Sequence, residues 1–407
     1  MKYPITCLLV CICTLGSAQV HCDGTRYIES VFTNVDSVIG VQYAANTTIG
    51  GTQRNLLVDV YFPDAEFFFA RPLVILAHGG SFIVGSRKEM RPLCIALAEK
   101  GFVAATIDYR LYDAFATPLD SLVVFDVALK ATMDMKAAIR WFREDAAANN
   151  DFGIDTQLVF AGGISAGAIT ALHAGFLDTQ DIQGHPAFDS ILQANGGIHG
   201  NSSFNHQYAD DVLGVLNYSG ALKDARWIDS GEPLVFSVHD ELDGVVPYYR
   251  DHSDAMGTPV ELWGSYEVNQ KAKAAGIRSQ LITIENSTQH VSYFLNGSNA
   301  PDYALAVDSA AIFMEYAICD RMSGTDDNRR LTSSPVVFPN PAFGSLHVNG
   351  LPGVDHIQVI EASGRQVLSV PVEASAGIDV SSLGPGVYSV LLFQRDQLIH
   401  LERIIKQ

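Results

Sequence analysis

From about Leu56 to Cys319 short apolar runs alternate with stretches whose apolar residues recur at helical spacing. LLVDVYF alternates apolar and polar side chains and predicts a strand with one face buried. PLVILAH (72–78) and FVAATIDY (102–109) are apolar without a break, as strands covered on both faces are. Between them MRPLCIALAEKG predicts a helix that stops at Gly101. Further on, Met135, Ala138, Ile139 and Phe142 fall at i, i+3, i+4 and i+7, one face of a helix. QLVFAG, VLGVLNYSG, PLVFSVH and SQLITIE predict more strands; SYEVNQKAKAAG and ALAVDSAAIFMEYAI predict more helices. Strand and helix in alternation predict an α/β fold layered about a mostly parallel sheet.

The pattern changes after Met322. SGTDDNRRLTSS (323–334) is polar and without period, so it reads as a linker. From Pro335 to the end, short runs punctuated by Gly and Asn-Gly predict a small all-β sandwich. At the other end, Lys2, an apolar run and small residues up to Ala18 predict a secretory signal peptide over 1–18. Its apolar run is too short to span a bilayer, and no later stretch predicts a stable membrane span. The expected organisation is therefore a signal over 1–18, an α/β domain over 19–322, the linker, and a β domain over 335–407.

With 48% hydrophobic residues, the chain can bury a large core. A net charge of -19 argues against nucleic acid or an anionic membrane as partner. Of six cysteines, Cys7, Cys11 and Cys13 lie in the predicted signal. Cys22, Cys94 and Cys319 remain, with no metal-binding spacing. Cys94, inside an apolar helical run, reads as a buried thiol. A Cys22–Cys319 bridge would join the two ends of the α/β domain.

FAGGISAGAI places Ser165 between Gly163 and Gly167, after a predicted strand and before a predicted helix. In Gly-x-Ser-x-Gly between strand and helix, a sharp turn exposes a nucleophilic hydroxyl; the bland alternative is a turn serine that caps a helix. A serine nucleophile needs a base, and the order on such a fold is Ser, then Asp or Glu, then His. His173 follows Ser165 too closely, and His185, His199 and His206 fall in a polar stretch. His290, after SQLITIE, is where a strand-end loop would present a base; otherwise it is a loop histidine. The acid falls in VHDELDGVVPY, as Asp243 or, second, Asp240, unless this is a solvated acidic loop. AHGGSF ends the strand PLVILAH. Backbone N–H groups there could form an oxyanion hole, or the glycines could serve only a tight turn.

Together these pieces resemble the α/β-hydrolase serine carboxylesterases, and among them bacterial esterases of the feruloyl and acetyl-xylan esterase-like group. The likeness runs over 55–319, through LLVDVYFP, PLVILAHGGSFIVGS, GFVAATIDYRL, DMKAAIRWFRE, GGISAGA, VHDELDGVVPY and QHVSYF. It implies a three-layer α/β-hydrolase sandwich and places the acid at Asp243, with Asp240 standing where glycine is usual. It also implies oxyanion donors at Gly80, Ser81 and Ala166, with Ser81 replacing a glycine. The C-terminal part, with VFPNPAFGSLHV, EASGRQVL, IDVSSLGPGVYSVLLF and RIIKQ, resembles the sorting domain of the type 9 secretion system. The resulting expectation is a secreted or surface serine esterase acting through Ser165, His290 and Asp243 on a small-molecule or polysaccharide ester. It needs no metal or organic cofactor and is exported by the type 9 machinery. A non-catalytic surface binding protein, a lipase or a serine peptidase of the same fold are the rivals. The polar segment 178–211 is expected to shape the entrance to the site.

Overall fold

The computed structural model describes residues 22, 25–64, 70–115, 119–182 and 184–322. In the C-terminal part it describes 336–338, 342–349, 356–361, 365–371, 378–394 and 397–406. The predicted signal and linker lie outside these residues. Two compact units divide the chain, 1–323 and 324–407.

In the first unit the strands are β1 (Val35–Thr47), β2 (Gln53–Pro63), β3 (Arg71–Ala77), β4 (Val103–Ile107) and β5 (Ile154–Ile164). Then come β6 (Gly214–Tyr218), β7 (Leu234–Asp240), β8 (Arg250–Ser253), β9 (Val260–Trp263) and β10 (Ser279–Ile284). The helices are α1 (Arg91–Glu99), α2 (Ser121–Ala148), α3 (Ala166–Phe176), α4 (Pro186–Ala194), α5 (Ser265–Ala274) and α6 (Tyr303–Met322). Eight strands form one sheet in the order β1-β2-β4-β3-β5-β6-β7-β10. From β4 to β10 every pair is parallel; β1–β2 and β2–β4 are antiparallel.

The unbroken apolar run of β3 has its physical reason in the layers. Leu73, Ile75 and Ala77 join the core under α2, α3 and α5, while Val74 and Leu76 join the core under α1 and α6. Side chains alternate at period two, and helices cover both faces. Helix α2 departs from a simple amphipathic reading. The expected face of Met135, Ala138, Ile139 and Phe142 is buried, but so are Asp134, Lys136 and Arg140. The segment after α4, together with Arg110 from the stretch after β4, covers that polar side and supplies its partners. Asp134 meets Arg110 and Ser202, and Arg140 meets Asp210 at 2.6 Å. Buried charges persist only when paired in this way.

Cys22 and Cys319 form a disulfide, and Cys94 is a buried free thiol. In the second unit, β11 (Val336–Phe338), β12 (Ser345–Asn349) and β15 (Ile378–Asp379) form one antiparallel sheet. β13 (His356–Glu361), β14 (Gln366–Pro371), β16 (Gly386–Gln394) and β17 (Gln397–Lys406) form the other. Val337, Leu346, Ile357, Val359, Val390 and Leu392 are among its core residues.

Candidate active site

Ser165 sits where β5 turns into α3. Its N–H still donates to Tyr218 O at 2.9 Å, continuing the ladder to β6. Its carbonyl already accepts from Ile169 N–H, the first bond of the helix. To serve both, the residue takes φ 56° and ψ −119°, a strained conformation for a residue with a side chain. The turn is crowded. A Cβ on Gly167 would stand 2.0 Å from Ala77 O, and one on Gly163 would stand 2.5 Å from the same atom. A backbone carbonyl inside β3 cannot yield, so only glycine fits at either place.

The loop after β10 carries His290, and the loop after β7 carries Asp243. His290 Nε2 is 2.8 Å from Ser165 Oγ, and His290 Nδ1 is 2.6 Å from Asp243 Oδ2. Asp243 Oδ1 accepts from the N–H groups of Val245 and Val246 at 2.8 and 3.1 Å. Sequence reasoning overlooked His239, whose Nε2 is 3.0 Å from Val246 O and 3.3 Å from Asp243 Oδ2. The signal that could have found it is the spacing within VHDELDGVVPY, where His239 stands four residues before Asp243. Val246 O can only accept, so Nε2 carries the proton and also faces the carboxylate. Burial alone would raise the Asp243 carboxyl, but hydrogen bonds from His239 and His290 hold it well below the usual range.

Asp240 does not reach His290. It is buried at the end of β7, where Oδ2 accepts from Ser292 N–H at 2.9 Å. It tethers the His290 loop instead, and a solvated acidic loop is not what the structure contains here.

AHGGSF forms a turn packed directly on the serine. A Cβ on Gly79 would touch Ile164 O at 3.3 Å and Ser165 Cβ at 3.4 Å. Gly80, Ser81 and Phe82 are all left-handed, at φ 110°, 53° and 59°. Successive residues of this kind turn their N–H groups into a concavity. His78 braces the turn, with its ring stacked on Tyr109 at 4.3 Å and its Nδ1 2.7 Å from Gly79 O.

A pocket partly open to solvent begins at Ser165, Ala166 and Ser81. Its walls are Phe82, Val124, Phe125, Ile169, Met256 and Leu262, among others. They come from the 79–82 turn, the start of α2, one face of α3 and the β8–β9 hairpin. Segment 178–211 does not line it, contrary to expectation. That segment packs against α2, where Phe188 stacks on Phe125 at 4.4 Å. Among the described residues no His, Cys, Asp and Glu side chains are grouped to hold a metal ion, and no helix is long and apolar enough to cross a membrane.

Strand order, parallel sense and a serine at a strained strand-to-helix turn, with Asp and His loops following in order, decide the architecture. This is the α/β-hydrolase fold. Residues 58–223 match the BD-FAE family model, and residues 336–407 match the secretion system C-terminal sorting domain. Esterase 2 of Thermogutta terrifontis with propionate bound is similar in structure, with a TM-score of 0.51 and 19% identity. The match covers 68% of this chain and 93% of that one. The same esterase phosphoramylated by tabun matches with a TM-score of 0.50 and 19% identity, at 68% and 93% coverage. At that identity the likeness is one of fold. Among curated proteins, the non-reducing polyketide synthase ausA of Aspergillus calidoustus is 35% identical over 126 residues, 29% of this chain and 5% of that protein. The synthase mapC' of Penicillium brevicompactum is 31% identical over 155 residues, 36% of this chain and 6% of that protein. The chain therefore spans 5 to 6% of the length of these relatives. The α/β-hydrolase unit is followed by a sorting domain that directs export to the cell surface or beyond it.

Proposed function

We propose that the protein is a secreted serine esterase that cleaves carboxylic esters through an acyl-enzyme. The observation that carries this reading is the continuous hydrogen-bonded line from Ser165 Oγ through His290 to Asp243, at 2.8 and 2.6 Å. Ser165 Oγ attacks the ester carbonyl carbon while His290 Nε2 takes its proton. The imidazolium that forms donates from Nδ1 to Asp243, whose charge is already stabilised by His239 and two backbone N–H groups. The N–H groups of Gly80, Ser81 and Ala166 receive the oxyanion. Collapse of the tetrahedral species breaks the bond to the alcohol oxygen, which takes the proton from His290. Water then repeats the sequence on the acyl-enzyme and releases the acid. The resemblance of 55–319 to the feruloyl and acetyl-xylan esterase-like group suggests acetyl or feruloyl esters of plant polysaccharides as the substrate class. The sorting domain supports passage through the type 9 machinery after a signal peptide over 1–18 has directed the first membrane crossing.

The test is Ser165→Ala with a serine-reactive phosphonate and 4-nitrophenyl acetate. Labelling is expected to vanish and turnover to fall by a factor on the order of 10⁴. Hydrolysis at the wild-type rate would place the chemistry elsewhere.

A further inference from the structure

The pocket has a cationic end. Ser165, Ile169 and His173 follow one another at i, i+4 and i+8, and all three line it, so it runs along one face of α3. At ~1.5 Å per residue, His173 lies roughly 12 Å along the axis from the serine. Lys223 lines the same pocket, in walls that are otherwise mostly apolar.

Lys223 is held on three sides. The preceding residue, Leu222, exchanges backbone hydrogen bonds with Trp263 at 3.0 and 2.9 Å. The Lys223 N–H donates to His173 Nε2 at 3.2 Å, and the Lys223 ammonium donates to Glu261 O at 3.0 Å. His173 cannot itself offer a proton to a ligand. Its Nδ1 is 2.7 Å from Ile169 O, which fixes the proton there and leaves Nε2 as the acceptor. Burial lowers the His173 imidazole to about 4, so it is neutral near pH ~7.

The ammonium has three donors, and the carbonyl of Glu261 uses one. The two acids whose charge acts on Lys223, Glu261 and Asp224, are committed elsewhere. Asp224 pairs with Arg226, and the Glu261 carboxylate pairs with Arg250 at 3.0 Å. Among the described residues no carboxylate lies within ion-pair distance of Lys223. A half-buried lysine at the end of an apolar channel is costly without an anion. Burial accordingly lowers its affinity for the proton, against the pull of Glu261 and Asp224.

We propose that Lys223 is a specificity-determining residue that receives a carboxylate at the far end of an elongated apolar acyl group whose ester carbonyl lies at Ser165. The proposal rests on the serine-esterase reading above and departs from acetyl and feruloyl as the acyl group, since neither carries a second carboxylate. The acyl half is assigned to this pocket because it stays bound to Ser165 while the alcohol leaves, and a channel ended by side chains suits the half that stays. Because His173, which holds the Lys223 backbone N–H, lies roughly 12 Å along α3 from Ser165, an acyl group on the order of 10 Å is the length to test. The general field of a chain with net charge -19 would repel such a substrate, so its acceptance must come from this local cation.

The experiment compares the mono-4-nitrophenyl ester of suberic acid with 4-nitrophenyl octanoate, equal in carbon count and differing in the terminal charge. In Lys223→Met the ratio of kcat/KM, suberate over octanoate, is expected to fall by a factor of about 10 to 100. An unchanged ratio overturns the proposal. Lys223→Gln, one atom shorter but still an N–H donor and without the charge, is read in the same way should the methionine variant fail to fold by circular dichroism. A second arm needs no turnover. Calorimetry measures monomethyl suberate binding to Ser165→Ala and to Ser165→Ala combined with Lys223→Met. A loss of about tenfold or more in affinity supports the cationic end, and equal affinity overturns it. Failure of the esterase reading looks different: wild type then turns over neither ester and escapes the phosphonate, while the calorimetric arm still reports on Lys223.

Discussion

Neutralising Asp243 tests how the carboxylate governs His290. In Asp243→Asn the side-chain carbonyl and amide must share the two oxygen positions. The Oδ1 position accepts two backbone N–H groups, at 2.8 and 3.1 Å, so the carbonyl oxygen belongs there. The amide nitrogen then stands at the Oδ2 position, facing His290 Nδ1 at 2.6 Å. An amide N–H can only donate, so Nδ1 becomes the acceptor and the ring proton moves to Nε2. A protonated Nε2 cannot take the proton of Ser165. The flipped amide would leave two buried N–H groups without acceptors, at a cost of ~1–3 kcal/mol each. That sum, about 2–6 kcal/mol, outweighs the relief of the long 3.3 Å contact to His239 and keeps the productive orientation to a few per cent or far less. The expected loss in kcat/KM is on the order of 10³ to 10⁴, in line with the wrong-tautomer effect in other Ser-His-Asp enzymes. Stopped-flow hydrolysis of 4-nitrophenyl acetate measures it, with the phosphonate labelling rate as a second readout. Asp240→Asn is the control. Its amide oxygen can still accept from Ser292 N–H, so activity is expected within about tenfold of wild type. If Asp243→Asn also stays within about tenfold, the tautomer argument and the role of Asp243 both fail.

Two further outcomes follow from burial and from connectivity. Asp181 and Glu232 are pushed up to about 7, first by burial and also by neighbouring acids that include Asp178 and Asp229. Their protonated forms favour the fold, so the stability they contribute is complete below pH ~4 and is lost as pH rises toward ~7. Glu232→Gln, which does not titrate, should therefore raise Tm relative to wild type near pH ~8 and not near pH ~4; equal shifts at both would refute the burial argument. Truncation after residue 334 should leave ester hydrolysis unchanged in purified protein, because the two units are separately compact. In a host with type 9 machinery the same truncation should strand the enzyme in the periplasm, and its normal secretion would refute the sorting role.

The parts of the molecule legible in the sequence were those whose physics is local. Gly163 and Gly167 announce the turn around Ser165 because no side chain fits at either, whatever the rest of the fold does. β3 and β4 were legible because both of their faces are covered. β8 was not: its sequence is RDHS, it pairs only with β9, and no apolar alternation marks it. The buried ion pairs of α2 were not legible because the partners, Arg110, Ser202 and Asp210, lie far away in sequence. The same distance hid the pocket. Its walls come from α2, α3 and a hairpin nearly a hundred residues beyond Ser165. His173, set aside as too close to serve as the base, is instead the residue that fixes Lys223.

The disulfide also has a mechanical meaning. Cys319 lies in the last turn of α6, and the chain continues from that helix into the sorting domain. Were the tail pulled during export, the traction could peel away only the few residues after Cys319 before meeting a covalent crosslink. Part of the load then shifts to Cys22 and the segment beside it, which is fastened to the end of α1 by Tyr27 N–H to Lys100 O and Phe32 N–H to Glu99 O. Hauled from its trailing end, the catalytic unit is gripped at two places on its surface, and α6 is spared from unravelling in sequence.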